Sequence, residues 1–328
     1  MSASPTQSGA GTLAVASSES MPATLERDVD RAATYARAEK AEATRKAYRT
    51  DFALFQQWAT HRGVSALPAT PEVVAAFLAA EAERGTKPAT ISRRVAAIRY
   101  AHRLAGLPAP TDDERVRATV RGIRREKGVA PKKKAPATSD KLIAMAAAGD
   151  GSITALRDRA LLLLGFAGAF RRSELVALDV SDLAEVDGGL LVTVRQSKTD
   201  QEGHGAAVAI VPGAIACPVT AVREWLRAAN IIEGPVFRPI NKAGRVLDAR
   251  LTGRSVANIV KARAIKVGLK ASDFAGHSLR AGFITSAAAR GASLFKMMDV
   301  SRHKSVDTLR GYVRNVDAFK DHARTGLL

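Results

Sequence analysis

The C-terminal half of this chain carries a series of cationic side chains that ends on a single phenol. In order it comprises Arg171 in AGAFRRSEL, Lys198 in RQSKTD, His277 and Arg280 in GHSLRAG, His303 in SRHKS, and Tyr312 in LRGYVR. Guanidinium, ammonium and imidazole groups can neutralise the charge that gathers on phosphodiester oxygens, and a phenol can attack the phosphorus. No acidic cluster suited to holding a metal accompanies them. The set therefore favours a metal-free covalent route and calls for no cofactor.

Each of these residues also has a plainer reading. A lone arginine in a chain with 50 Lys and Arg residues can be a surface charge. Arg171, however, directly follows the apolar run ALLLLGFAGAF, where burying a guanidinium without an anionic partner is costly. Glu174 lies three residues on, on the same helical face, and is assigned to orienting this arginine. His61, His102, His204 and His322 have no such setting and read as structural. A free phenol has a pKa near about 10 and is a poor nucleophile until nearby cations help it ionise. Tyr48 lies on an apolar helical stripe and Tyr100 within a helix, so both read as core residues, and Tyr35 has no motif around it. Cys217, the single cysteine, excludes an intrachain disulfide and reads as a small core residue rather than a nucleophile.

The elements that must position the set follow from periodicity and punctuation. Residues 1–23, small and polar, are expected to form a disordered tail. Residues 24–126 read as an all-helical domain. Thr44 is expected to cap a helix carrying Tyr48, Phe52, Phe55 and Ala59 on one face. Thr70-Pro71 opens the next helix, and another runs from about Pro88 to Ala105, burying Ile91, Val95 and Ile98. A loop, GLPAPTDD, leads to a basic helix, ERVRATVRGIRREK. Residues 127–138 (KGVAPKKKAPAT) form a cationic linker. From Arg121 to Lys134 seven basic residues stand against one acidic. A solvated hinge does not need that density, so Lys132, Lys133 and Lys134 are expected along a phosphate backbone.

Residues 139–328 open with two helices, the second apolar from Ala155 to Phe170. LDVSDLAEVDGG, LLVTVRQSK and AAVAIV then alternate like a small antiparallel sheet, with Lys198 on a β-turn. Further helices follow in CPVTAVREWLRAA, in the segment opened by Thr252, in SLRAGFITSAAARG and around Tyr312. The expected fold class is mainly α in two domains, the first all-helical and the second α-rich with a small antiparallel β-sheet.

Composition agrees with this outline. A length of 328 residues suits about two domains, and 46% hydrophobic residues are ample for packed cores. A net charge of +18 points to a polyanionic partner. A basic amphipathic membrane binder is the competing reading, weakened because the cations recur across many separate segments. No stretch approaches the roughly 18 consecutive apolar residues of a membrane span, and no secretory signal is evident. With one cysteine, a reducing, cytoplasmic setting is expected.

This ordered set resembles the tyrosine site-specific recombinases, the phage integrase family, and most of all their Cre-type members, over roughly residues 25 to 318. An R-x-x-E or an H-x-x-R alone is a weak signal. The order is specific, with nine residues from His303 to Tyr312 and Lys198 at a β-turn. KAYRTDFALFQQWA and GLPAPTDDERVRATVRGIRREK are similar to the core-binding domain of that type. The resemblance implies that Tyr312 attacks the scissile phosphate, giving a 3′-phosphotyrosine bond and a free 5′-hydroxyl. Covalent capture conserves the ester energy, so religation needs no ATP. Arg171 and Arg280 would clamp the non-bridging oxygens with planar forks that lysine lacks. His303 would donate a hydrogen bond to the phosphate, His277 would assist proton management near the nucleophile, and Lys198 would protonate the leaving 5′-oxygen. In the family the residue after the first arginine is often apolar, whereas here it is Arg172. Either arginine could in principle enter the site; the SEL that follows sets the register for Arg171, with a neighbouring phosphate as the place for Arg172.

By the same resemblance Arg254, at the start of the helix capped by Thr252, stands where a base-reading arginine is expected, with a phosphate contact as the alternative. Arg45, Lys46, Arg49, Arg93 and Arg94 are candidates for contacting the major groove and its flanking phosphates. The C-terminal VDAFKDHARTGLL, bearing Phe319, Leu327 and Leu328, would dock on a neighbouring protomer or pack at home. Docking implies a homo-tetramer on two DNA sites, and the recombinase resemblance implies a protein that is monomeric without DNA and works on double-stranded DNA through a Holliday junction at short inverted repeats. Two other readings share these residues: a type IB topoisomerase-like relaxing enzyme, and a DNA-binding protein of the same fold that no longer cuts. The first-domain resemblance counts against the former, the complete candidate set against the latter.

Overall fold

The computed structural model describes residues 23–128, 134–195 and 205–313. They fall into two compact units that divide between Pro131 and Lys132.

The first unit is helical among its described residues: α1 (Ala23–Ala38), α2 (Glu42–Thr60), α3 (Pro71–Glu83), α4 (Pro88–Leu104) and α5 (Glu114–Lys127). α2 begins before Thr44. The Arg45 N–H already donates to the Ala41 carbonyl at 3.0 Å, which makes Ala41 the N-cap and Thr44 an interior residue. The cap expected at Thr44 is corrected accordingly, and Glu42 in the first turn complements the helix dipole instead. α3 starts as read, with the Thr70 side chain accepting the Val73 N–H at 3.4 Å and Pro71 in the first turn. Phe55, Trp58, Val74, Phe77, Leu78, Ile91 and Ile98 meet in one core, with Val95 at its margin. His102 is structural: it accepts the Ala69 N–H on Nε2 at 3.0 Å, and its Nδ1 meets the Ile98 carbonyl at 2.9 Å.

The second unit opens with α6 (Ser139–Ala147), α7 (Ile153–Ala167) and α8 (Arg172–Ala177). A three-stranded antiparallel sheet follows, β1 (Leu183–Val186), β2 (Gly189–Val194) and β3 (Ala206–Ile210), in the order β1-β2-β3 with Leu183 opposite Val192 and Val192 opposite Val208. Then come α9 (Pro218–Ala228), α10 (Gly253–Lys266), α11 (Ser278–Ala289), α12 (Leu294–Ser301) and α13 (Val306–Val313). α7 buries Leu161, Leu162, Leu163 and Leu164 together, so it is the central helix with α6, α9 and α11 around it. Trp225 of α9 anchors that core and donates its Nε1–H to the Val236 carbonyl at 2.8 Å.

The first described residues of the second unit run beside α11 and the turn before it. The Ala135 N–H donates to the Asp273 carbonyl at 2.8 Å, the Ala137 N–H to the Ser278 carbonyl at 2.9 Å, and the Ser139 N–H to Ser286 Oγ at 2.9 Å. Gly282 allows this approach, because a Cβ there would stand 1.8 Å from the Ala137 carbonyl oxygen. Among the described residues no helix is long and apolar enough to cross a membrane.

Candidate active site

α7 ends at a sharp turn that delivers the first arginine. Ala169 adopts a left-handed backbone, with φ 44°, and Gly168 leaves room for the buried Phe170 ring, which a Cβ would meet at 2.1 Å. Arg171 then sits at the N-cap of α8 in extended conformation. It is not inside a helix, as its spacing to Glu174 suggested. The Glu174 carboxylate reaches back one turn, accepting the Arg171 backbone N–H at 2.9 Å and its Nη1 at 2.6 Å. The same carboxylate accepts Nη2 of Arg302 at 2.6 Å. Its side chain is 1% exposed. Burial opposes its charge, yet Arg302 and Arg171 hold its pKa below the ordinary carboxylate value.

The second arginine comes from α11. Arg280 is 1% exposed; its Nη1 donates to the Ala169 carbonyl at 2.8 Å, and its Nη2 lies 3.2 Å from Nε2 of His303. The turn that shapes the Arg171 loop therefore also anchors Arg280. His277, immediately before α11, brings Nε2 to 3.3 Å from the Tyr312 hydroxyl. Tyr312 rides on α13, which packs with α11 and α12 around Ile284, Met297 and Leu309. Ser301 Oγ donates to the Met297 carbonyl at 2.5 Å and lies 2.7 Å from Nδ1 of His303.

Arg171, His277, Arg280, His303 and Tyr312 line one cavity of about 740 Å³, together with Arg172 and Lys304. Among the described residues no Asp or Glu lines it. Such a cavity suits an anion, and the cations within it oppose one another until one arrives. Burial, followed by the Arg171 charge, pushes the Arg280 pKa down to about 10. Burial, then Arg280 and Arg171, pushes His303 down to about 4, so its imidazole is neutral near neutral pH. His277 is also lowered, by burial first and then by Arg280, Arg171 and Arg172. Neutral imidazoles can donate one hydrogen bond and accept another, and a bound phosphate would raise both pKa values.

The remaining candidates divide. Lys198 lies between β2 and β3, outside the described residues, as do Lys132, Lys133 and the segment bearing Phe319, Leu327 and Leu328. Lys134 donates from Nζ to the Ser272 carbonyl. Arg254 is exposed in the first turn of α10, whose Thr252 cap accepts the Ser255 N–H at 3.1 Å as expected. Lys46 and Arg49 are exposed on α2 and Arg45 is half-buried beside them. Arg93 is half-exposed and donates to Asp51 from Nε at 2.6 Å and from Nη2 at 3.1 Å. Arg94 must be corrected. Its side chain is 11% exposed and is ion-paired with Glu81 and Asp51, so it is a structural cation and is not available to DNA phosphates.

Sequence reasoning did not single out Ser301, Arg302 or Lys304. Lys304, next to His303, carried the same cationic signal as its neighbours. Ser301 and Arg302 carried none, because their roles depend on a left-handed backbone at Arg302, φ 55° and ψ 41°, a conformation usually signalled by Gly or Asn.

Residues 137–318 match the phage integrase family, and residues 33–106 match the phage integrase N-terminal SAM-like domain. The chain belongs to the phage integrase family. This integrase is a tyrosine site-specific recombinase, a DNA-binding enzyme that breaks and rejoins DNA strands by the tyrosine mechanism. It is 42% identical over 290 residues to the integrase/recombinase XerD homolog of Selenomonas ruminantium, covering 87% of this chain and 85% of that protein. It is 25% identical over 271 residues to the recombinase Cre of Escherichia phage P1, covering 76% of this chain and 78% of that one. A crystal structure of a lambda integrase dimer bound to a COC′ core site shares the fold of this integrase, with a TM-score of 0.59 and 19% identity over 88% of this chain and 77% of the other.

Proposed function

We propose that this integrase recombines short inverted-repeat DNA sites through a 3′-phosphotyrosine intermediate and a Holliday junction. The convergence of Arg171, Arg280, His277, His303 and Tyr312 on one cavity, with no carboxylate lining it among the described residues, carries this reading. Arg171 and Arg280 hold the two non-bridging oxygens, aiming fixed charge where negative charge grows. Tyr312 Oη forms a bond to phosphorus as the bond to the 5′-oxygen breaks. His277, 3.3 Å from that hydroxyl, takes its proton. Lys198 protonates the leaving 5′-oxygen, and His303 donates to a phosphate oxygen. Reversal with a different 5′-hydroxyl joins the exchanged strands.

Residues 24–126 serve in this reading as a core-binding domain, with Arg45, Lys46, Arg49 and Arg93 facing DNA, and residues 139–328 as the catalytic domain. Residues 127–138 act as a basic strap between them, and Arg254 meets a base or phosphate. The protein works as a homo-tetramer on two sites, is monomeric without DNA and acts in the cytoplasm. The test is a denaturing gel of wild-type and Tyr312→Phe protein incubated with DNA flanking its own gene, in chelator. A covalent adduct from wild type alone is expected, with site binding retained by the variant. Binding without any adduct from wild type would favour a protein that holds sites and does not cut them.

A further inference from the structure

Arg302 occupies a position that its residue type resists. It ends α12 in the left-handed region, where a non-glycine side chain is strained, and such strain persists only where the surroundings fix it. That backbone turn sends consecutive side chains to opposite sides. His303 goes up to the cavity, within 3.2 Å of Arg280 Nη2, while Arg302 goes down beneath the cavity and does not line it. Its side chain is 10% exposed and its guanidinium lies 5.1 Å from the centre of the Phe170 ring. Nη1 donates to the Gly168 carbonyl at 3.2 Å and to the Val300 carbonyl at 3.0 Å, and Nη2 to Glu174 Oε2 at 2.6 Å.

Glu174 is thus shared. One carboxylate serves the Arg171 backbone N–H, the Arg171 guanidinium and the Arg302 guanidinium. Paired with Arg171 alone, it would cancel the charge that Arg171 must present to a phosphate. With Arg302 included, the group of two cations and one anion keeps a net +1 on the cavity side. The same guanidinium joins the loop that carries Arg171 to the turn that carries His303, nine residues before Tyr312. We propose that Arg302 is a positioning residue: it neutralises Glu174 from below, so that Glu174 orients Arg171 without quenching it, and it fixes the His303 turn to the Arg171 loop. This rests on Arg171 acting at the scissile phosphate.

The test compares wild type, Arg302→Met, Glu174→Gln and the double variant on a nicked suicide substrate at saturating DNA, with DNA affinity and thermal melting measured alongside. Arg302→Met should lose about 10–100-fold in cleavage rate, by analogy with the loss when residues that orient the ligands of a metal site are removed, while its DNA affinity stays near that of wild type. Adding Glu174→Gln should recover part of that loss, because it removes the uncompensated charge. A merely structural role would make the two losses multiply. Where Arg302→Met does not melt cooperatively, Arg302→Gly replaces it, since glycine takes the left-handed backbone freely. Full cleavage by the Arg302 variant, or independent losses in the double variant, would overturn the proposal. Absence of any adduct from wild type would instead overturn the reading of the site on which it rests.

Discussion

Arg280→Lys separates charge from shape at the most deeply buried cation of the site. Arg280 is 1% exposed, and burial together with Arg171 lowers its pKa to about 10, which still leaves an arginine charged at any physiological pH. A lysine starts from about 10.4, and the same penalty, on the order of 3 kcal/mol at about 1.36 kcal/mol per pKa unit, would bring it to roughly 8. The variant should therefore lose twice. Without the planar fork, cleavage near neutral pH should fall by about 100-fold, in the range seen when one preorganised donor is removed. Above pH roughly 8 the lysine also loses its charge, and the rate of the variant relative to wild type should fall about tenfold per pH unit. The assay is adduct formation at sub-saturating DNA from about pH 6.5 to 9.5, where the pH dependence reports groups of the free enzyme. Taking the ratio to wild type cancels the pH dependence that the two proteins share. A ratio that stays flat across the range would refute the claim that burial and Arg171 depress the cation at this position.

Four further outcomes follow from other residues. Arg94→Ala takes one cation from Asp51 and Glu81, which keep Arg93 and Arg84 as partners, and should cost about 1–3 kcal/mol of stability in a thermal melt, whereas Arg49→Ala should melt normally but lower the salt-dependence slope of DNA binding by about 1; a wild-type melt for Arg94→Ala would contradict the buried pairing. Gly282→Ala presses a Cβ onto the Ala137 carbonyl and should destabilise by about 1–3 kcal/mol, unrescued by Ala137→Gly because the obstacle is backbone; an unchanged melting temperature would show that the approach is looser than described. His303 is held at a pKa of about 4, by burial first and then by Arg280 and Arg171, so it is neutral in the free protein. A phosphate raises that pKa, and DNA binding at about pH 5 to 6 should take up protons and tighten as pH falls. Calorimetry in buffers of differing ionisation heat measures this, and proton release in that window would contradict it.

What could be read in the sequence was whatever depends on residue type in a fixed local order. Thr70-Pro71 and Thr252 announce their helices because a hydroxyl acceptor and a ring without an N–H act within one turn. Arg171, His277, Arg280, His303 and Tyr312 stood out because few chemistries use that set, and the fold brings them to one cavity. Features that depend on distant partners were not legible. Nothing near Arg94 shows that Asp51 and Glu81 wait for it across the helical bundle. Thr44 looked like a cap because a threonine before an apolar stripe usually is one, but the backbone bonds to Ala41 start the helix a turn earlier. Arg302 is the clearest case. Its left-handed turn is normally betrayed by a glycine, and here it is held by contacts to Gly168, Phe170 and Glu174, more than a hundred residues away.

The central claim is that Tyr312 becomes covalently attached to a 3′ DNA end. The most direct measurement traps wild-type protein on a nicked suicide substrate, digests the complex with trypsin and nuclease, and sequences the modified peptide by mass spectrometry. The account predicts a nucleotide 3′-phosphate on the tyrosine of Gly-Tyr-Val-Arg, the tryptic peptide that begins at Gly311. Attachment at Tyr35, Tyr48 or Tyr100, or linkage through a 5′-phosphate, would contradict it.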